Sequence, residues 1–189
     1  WVSNFPMFAK WGQQVGSVES KCKKLDDLSE LLDADYLKID VPGMELEVLK
    51  SGKKLLQDLV LISLEMSPTP LYRGEASMWK VGDWLSENGW MLIDFYNIDK
   101  RGYKPFYDDS RPYIKGSQLF QVDALFIPHY QKWHLISEEK LKDLAFLLYA
   151  VFNYHDLSMR LLQEVDNRSE ANYGYVGKFI DYLDKLGIK

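Results

Sequence analysis

Four short apolar runs constrain this chain more than any other feature of its sequence. YLKIDV at 36–41, LVLISLEM at 59–66, WMLIDFY at 90–96 and LFQVDALFI at 119–127 are rich in Val, Ile, Leu and Phe. Runs of this length and make-up have the pattern of strands buried on both faces. Between the first two, Leu46, Val48, Leu49, Leu55, Leu56 and Leu59 recur at near-helical spacing and predict a helix over about 44–57. Between the second and third, Trp79, Val81, Trp84 and Leu85 predict another, stopped by Asn88-Gly89. Strand and helix in alternation argue for an α/β fold with a parallel sheet. Residues 97–118 carry no helical period, so the fourth strand need not follow a crossover and is free to return antiparallel.

The flanks read differently. Residues 1–17 have no period and predict a loop, Val18, Ser20 and Cys22 alternate with charged residues as in a weak strand, and Asp26 to Leu32 predicts a short helix. Past His129 the pattern is helical throughout. Leu141, Leu144, Ala145, Leu148 and Phe152 fall on one stripe behind Ser137 as a predicted N-cap, Leu157, Leu161 and Val165 mark a second helix, and Val176, Phe179, Ile180 and Leu183 a third. With 189 residues, the expected organisation is an α/β domain over 1–128 and a helical extension over 129–189 packed on it. The longest unbroken apolar run, Leu144 to Phe152, is far too short for the roughly 20 residues of a membrane-spanning helix.

Charge and cysteine usage narrow the function classes. The net charge is −5 and the Lys residues are interspersed with Asp and Glu, which gives a nucleic-acid backbone no basic stripe to bind. A single cysteine, Cys22, and no secretory leader suggest a reducing, cytoplasmic setting. His129 and His134 have no further His or Cys nearby, so no metal site is expected. The first residue is Trp1 rather than an initiator Met, and a longer natural protein is expected.

The sharpest local feature is Leu37-Lys38-Ile39-Asp40-Val41-Pro42-Gly43-Met44-Glu45, a buried strand leading through an acidic residue and a glycine turn into a helix. Open α/β sheets bind ligands at the carboxyl ends of their strands, where Asp40 would sit. The competing role for Asp40 is to cap the helix, with Glu45 favouring its dipole in the first turn. The segment Asn97 to Gln118 is long for an unstructured loop, and such loops often bind ligands. Its Tyr103 and Arg111 suit a sugar-like acceptor by stacking and hydrogen bonding.

The order Leu25-Asp26-Asp27-Leu28, Leu37-Lys38-Ile39-Asp40-Val41, Gly43-Met44-Glu45-Leu46-Glu47-Val48-Leu49, Gly52, Leu64-Glu65, Pro70-Leu71-Tyr72-Arg73-Gly74, Gly89 and Gln121-Val122-Asp123-Ala124-Leu125-Phe126 closely resembles the FkbM-type methyltransferase family over residues 18–128. The resemblance implies a Rossmann-like sheet whose later strands are present here, the last antiparallel and inserted between the two before it. It also implies S-adenosylmethionine as cofactor and transfer of a methyl group to a hydroxyl of a saccharide or similar small molecule. Carried over residue by residue, it makes Asp40 the candidate general base, with Glu45 and Glu65 in the same pocket and Tyr72 and Arg73 lining the acceptor site. For Glu65 the alternative is a buried carboxylate paired with Lys or Arg, and for Tyr72 a packing role.

Two departures from the family pattern are visible. The early strands, with the glycine-rich turn and the ribose-binding acid, have no counterpart here, and Pro42 stands where the family generally has Glu or Gln. A second class therefore stays open: a degenerate, non-catalytic methyltransferase-like module that binds protein. With the upstream strands absent, the strand at 36–41 would form an apolar sheet edge, and either self-association through it or its coverage by residues 1–24 is expected.

Overall fold

The computed structural model describes residues 2–8, 12, 15–31, 33–168 and 173–188. Its contacts divide the chain into two compact units, 1–127 and 128–189.

The first unit is built on four strands: β1 (Tyr36–Ile39), β2 (Leu61–Met66), β3 (Trp90–Arg101) and β4 (Gln118–Pro128). Their order in the sheet is β1-β2-β4-β3. β1 and β2 run parallel with Ile39 beside Leu64, and β4 runs antiparallel to β2 with Asp123 opposite Glu65. The sheet is therefore mixed, and the fourth strand lies between the second and third. Alternate residues of β2 and β4, namely Ile62, Leu64, Met66, Val122, Ala124 and Phe126, face a core shared with Leu49, Leu55, Val81 and Leu85. Burying each large apolar side chain of that set stabilises the unit by roughly 1.5–3 kcal/mol.

The helix predicted over 44–57 is two helices, α1 (Glu45–Ser51) and α2 (Leu55–Asp58). The break at Gly52 is held from outside. The Asp26 carboxylate accepts N–H groups of Lys54 at 3.0 and 3.2 Å and of Leu55 at 3.1 Å, supplying α2 with a cap from a distant segment. Ser51 Oγ meanwhile accepts the Leu25 N–H at 3.2 Å. The Leu25-Asp26-Asp27-Leu28 segment thus works as a clamp. It forms short 3-10 turns at Leu25–Asp27 and Ser29–Leu31 rather than the predicted helix from Asp26 to Leu32, of which Leu32 lies outside the described residues. α3 (Met78–Glu87) buries Met78, Val81 and Leu85, while Trp79 is 65% exposed.

Three other expectations change. No strand forms at 18–22, where the described chain is exposed and irregular, because alternation with charged neighbours offers no apolar face to bury. The loop expected over 1–17 contains a 3-10 turn at Val2–Asn4, and Phe5 is fully buried against Tyr103 and Phe120; Trp1, residues 9–11, Gln13 and Gln14 lie outside the described residues. β3 continues to Arg101, so the irregular connection is 102–117 rather than 97–118. That connection is pinched at its neck. A Cβ on Gly116 would collide with the backbone of Gly102, and the Gly102 N–H donates to Ile114 O at 3.2 Å.

The second unit opens with a 3-10 helix at Tyr130–Leu135 and buries Trp133, whose indole N–H donates to Pro128 O at 2.9 Å. Three helices follow, α4 (Glu138–Phe152), α5 (His155–Arg168) and α6 (Tyr175–Lys185). Ser137 Oγ caps α4 by accepting the Lys140 N–H. Leu141, Leu144, Leu148, Leu161 and Val165 are fully buried along the predicted stripes. Among the described residues no helix is long and apolar enough to cross a membrane.

Candidate active site

At the carboxyl end of β1 the chain turns sharply. The Met44 N–H donates to Val41 O at 2.9 Å, with Pro42 and Gly43 at the corners and Gly43 at φ 86°. This is the arrangement of a type II turn, in which Pro pre-sets the first corner and Gly tolerates the second. α1 then starts with Met44 as N-cap and no side-chain cap. Asp40 therefore does not cap this helix; it stays exposed at the strand end.

Glu45 folds back instead. Its Oε1 accepts the Gly43 N–H at 3.1 Å, and the residue is only 6% exposed. Burial raises its carboxyl above the usual glutamate range, the backbone N–H bonds from Glu45 and Gly43 offset part of this, and the charges of Glu75 and Asp40 push it up further. Across the turn, Glu75 accepts the N–H groups of Leu71 at 2.5 Å and Tyr72 at 2.8 Å. These bonds hold the 71–75 loop closed, and the Tyr72 ring covers Gly43.

Glu65 sits one residue past Leu64, the partner of Ile39, so the parallel register places it level with Asp40. On its other side it faces Asp123. Asp40, Glu65 and Asp123 thus form a row across the carboxyl end of β1 and β2. Burial raises the Glu65 carboxyl, followed by the charges of Asp40, Asp123, Glu45 and Asp99. Its hydrogen-bond donor is the neutral amide of Gln121 at 2.5 Å, not the Lys or Arg of a structural ion pair. Asp123 in turn accepts the Asn97 amide at 2.9 Å. Beneath the row, Tyr36 and the fully buried Ser63 share a hydrogen bond of 2.6 Å.

The structure thus brings Asp40, Glu45, Glu65 and Tyr72 to one end of the sheet. Arg73 is exposed in the loop that carries Tyr72. Tyr103 and Arg111 lie on the connection that leaves the end of β3. Tyr103 stacks on Phe5 with centroids 4.8 Å apart and donates to Gln118 Oε1, while Arg111 lies over the Tyr107 ring. Asp123, Gln121, Asn97 and Glu75 were not singled out as site residues from sequence. The signal for the first two was the polar positions alternating through the apolar run of β4; Glu75, set by a loop contact, left none.

Among the described residues, no group of three or more His, Cys, Asp or Glu is arranged to hold a metal ion. An acidic row favours a positively charged group by simple Coulomb attraction.

The chain matches the family model of the methyltransferase FkbM domain over residues 3–104, a span that holds Asp40, Glu45, Glu65 and Tyr72 and ends before β4. No curated protein and no solved structure matches it significantly. The family match covers more than half of the 189 residues, and the chain belongs to the FkbM methyltransferase family.

Proposed function

We propose that the first unit carries the acceptor side of an S-adenosylmethionine-dependent O-methyltransferase, acting on a hydroxyl of a saccharide or similar small molecule. The observation that carries this reading is the row Asp40, Glu65, Asp123 at the carboxyl ends of β1 and β2. On the same reading the sheet is the later part of a Rossmann-like sheet, supported by β4 inserted antiparallel next to β2. When bound, the cofactor supplies an electrophilic methyl group and leaves as a neutral thioether. Asp40, exposed at the strand end and free of a capping role, accepts the proton of the acceptor hydroxyl. Glu65, held by Gln121 and more basic than an ordinary glutamate, orients that hydroxyl from the side. Exposed Tyr72 and Arg73 lie on the loop over the turn, where they meet the acceptor.

The test is methyl transfer to a panel of saccharides by a full-length protein that contains this chain and a cofactor-binding half, with Asp40→Asn and Glu65→Gln. Proton-transfer assistance contributes about 10²–10⁴-fold, so Asp40→Asn lowers turnover in that range while the Michaelis constant for the cofactor stays within about twofold. Unchanged turnover removes Asp40 from the chemistry.

A second reading, a non-catalytic module that binds protein, is favoured by the position of β1 at one end of the strand order and by the apolar, exposed Pro42. It calls for concentration-dependent self-association in sedimentation, weakened by Lys38→Pro on β1, together with no transfer to any acceptor.

A further inference from the structure

The family match ends at residue 104, and the helical unit beyond it has a recess of its own. α4, α5 and α6 leave a cleft of about 320 Å³, with Lys142, Phe146, Tyr149, Phe179 and Tyr182 in its walls. Small-molecule sites span about 300–1,000 Å³ and combine an apolar, aromatic lining with a few polar groups. This cleft has that composition. Tyr149 packs edge-on against Phe179, with centroids 5.3 Å apart, and against Tyr182 at 5.9 Å. Phe146 is 67% exposed although it carries no polar atom. Solvated aromatic surface gathered at a recess marks a binding site more often than chance exposure does.

The charges choose the ligand. Lys142, the charged residue of the lining, has its ammonium 5.8 Å from the Tyr175 ring, and Lys178 lies 5.5 Å from the same ring. Neither ammonium forms an ion pair with another described residue. The nearby Asp166 carboxylate accepts the N–H groups of Tyr175 and Val176, at 3.0 Å each, and bonds to neither ammonium. A cation in the lining, with a second beside the same Tyr175 ring, disfavours the ammonium ligands that aromatic walls otherwise attract. The two cations favour an anion on an apolar body. A second copy of the chain fits less well, since a stable interface buries about 800 Å² per partner, more than such a recess offers.

We propose that this cleft binds a small amphipathic carboxylate, with its aromatic or aliphatic body between Phe146, Tyr149, Phe179 and Tyr182 and its carboxylate at the Lys142 ammonium, in the field of Lys178. The site is separate from the methyl-transfer reading and stands or falls without it.

The probes are 4-phenylbutanoate and its primary amide, titrated into the full chain and followed by backbone amide NMR. The carboxylate gives saturable shifts at residues 142–149 and 179–182 and binds about tenfold more tightly than the amide, a difference of the size that one charge-assisted hydrogen bond confers. Lys142→Gln, which retains most of the apolar stem, reduces that preference to twofold or less. Phe146→Ala at an exposed position weakens both probes severalfold. Equal affinity for acid and amide overturns the anionic class, and shifts outside the cleft, or none up to 10 mM, overturn the site. Concentration-dependent association abolished by Phe146→Ala assigns the recess to a protein interface and also overturns it.

Discussion

The Tyr72 side chain lies against Gly43, in tight contact with the place where a Cβ at position 43 would sit. A Cβ on Gly43 would meet the Tyr72 ring carbons at 3.3–3.6 Å, and the backbone there, at φ 86°, already disfavours any L side chain. Two segments that the sequence separates, the β1 exit and the loop held by Glu75, thereby fix each other beside Asp40.

Gly43→Ala is accordingly expected to destabilise the α/β unit by about 1–3 kcal/mol, the range for a non-glycine residue forced into left-handed backbone. Chemical denaturation measures it. Tyr72→Ala in the same background relieves only the steric part, so the double variant recovers a fraction of the loss. Full recovery would mean that backbone strain at position 43 is negligible.

Asp26→Ala removes the acceptor for three N–H contacts at the start of α2. Loss of a helix N-cap costs about 0.5–2 kcal/mol. Hydrogen exchange at Lys54 and Leu55 should accelerate while amides of β2 hold their protection. Unchanged exchange at both positions would show that the α2 start is held by packing alone.

The strands and the helical stripes were legible because each rests on local apolar periodicity. Ile62, Leu64, Val122 and Ala124 alternate with Ser63, Glu65, Gln121 and Asp123, and that pattern is written in neighbouring positions. The break between α1 and α2 was not, because Leu46 to Leu59 keep their spacing through Gly52 and the cap comes from Asp26, 28 residues away from Lys54. The site divided along the same line. Asp40, Glu45 and Glu65 stand at strand ends or helix starts, which sequence order locates. Asp123 enters the row only through antiparallel pairing, and the stacking of Tyr103 on Phe5 joins segments that sequence order keeps far apart.

Gly116→Ala tests the neck of the 102–117 connection. The added Cβ collides with the Gly102 backbone, an obstacle that no rotamer change can relieve. Loss of the Gly102 N–H to Ile114 O bond is expected, with proteolytic cleavage between 103 and 115 rising above that of the parent protein. Protection equal to the parent would show that the neck opens without consequence.

The two units are expected to respond to acid in opposite directions at two glutamates. Glu65 has its carboxyl raised above the ordinary value of 4.5, first by burial and then by Asp40 and its neighbours, so folding favours its protonated form. Its stabilising contribution is complete below 4.5 and is lost as pH rises through the raised value. Glu164 is the reverse. Arg168 donates to it at 3.0 and 3.1 Å and Arg160 at 3.2 and 3.3 Å, which lowers its carboxyl. That contribution is present above 4.5 and is lost as pH falls through the lowered value. Glu65→Gln should therefore stabilise the α/β unit at pH 7 and make no difference well below pH 4.5. Glu164→Gln should destabilise the helical unit at pH 7 by about 0.2–1 kcal/mol, as for partly exposed ion pairs, and become neutral at strongly acidic pH. Hydrogen exchange at Leu64 and Leu161, buried in different units, separates the two effects. A Glu65→Gln effect that grows on acidification would reverse the sign assigned here and place an unseen cation beside that carboxylate.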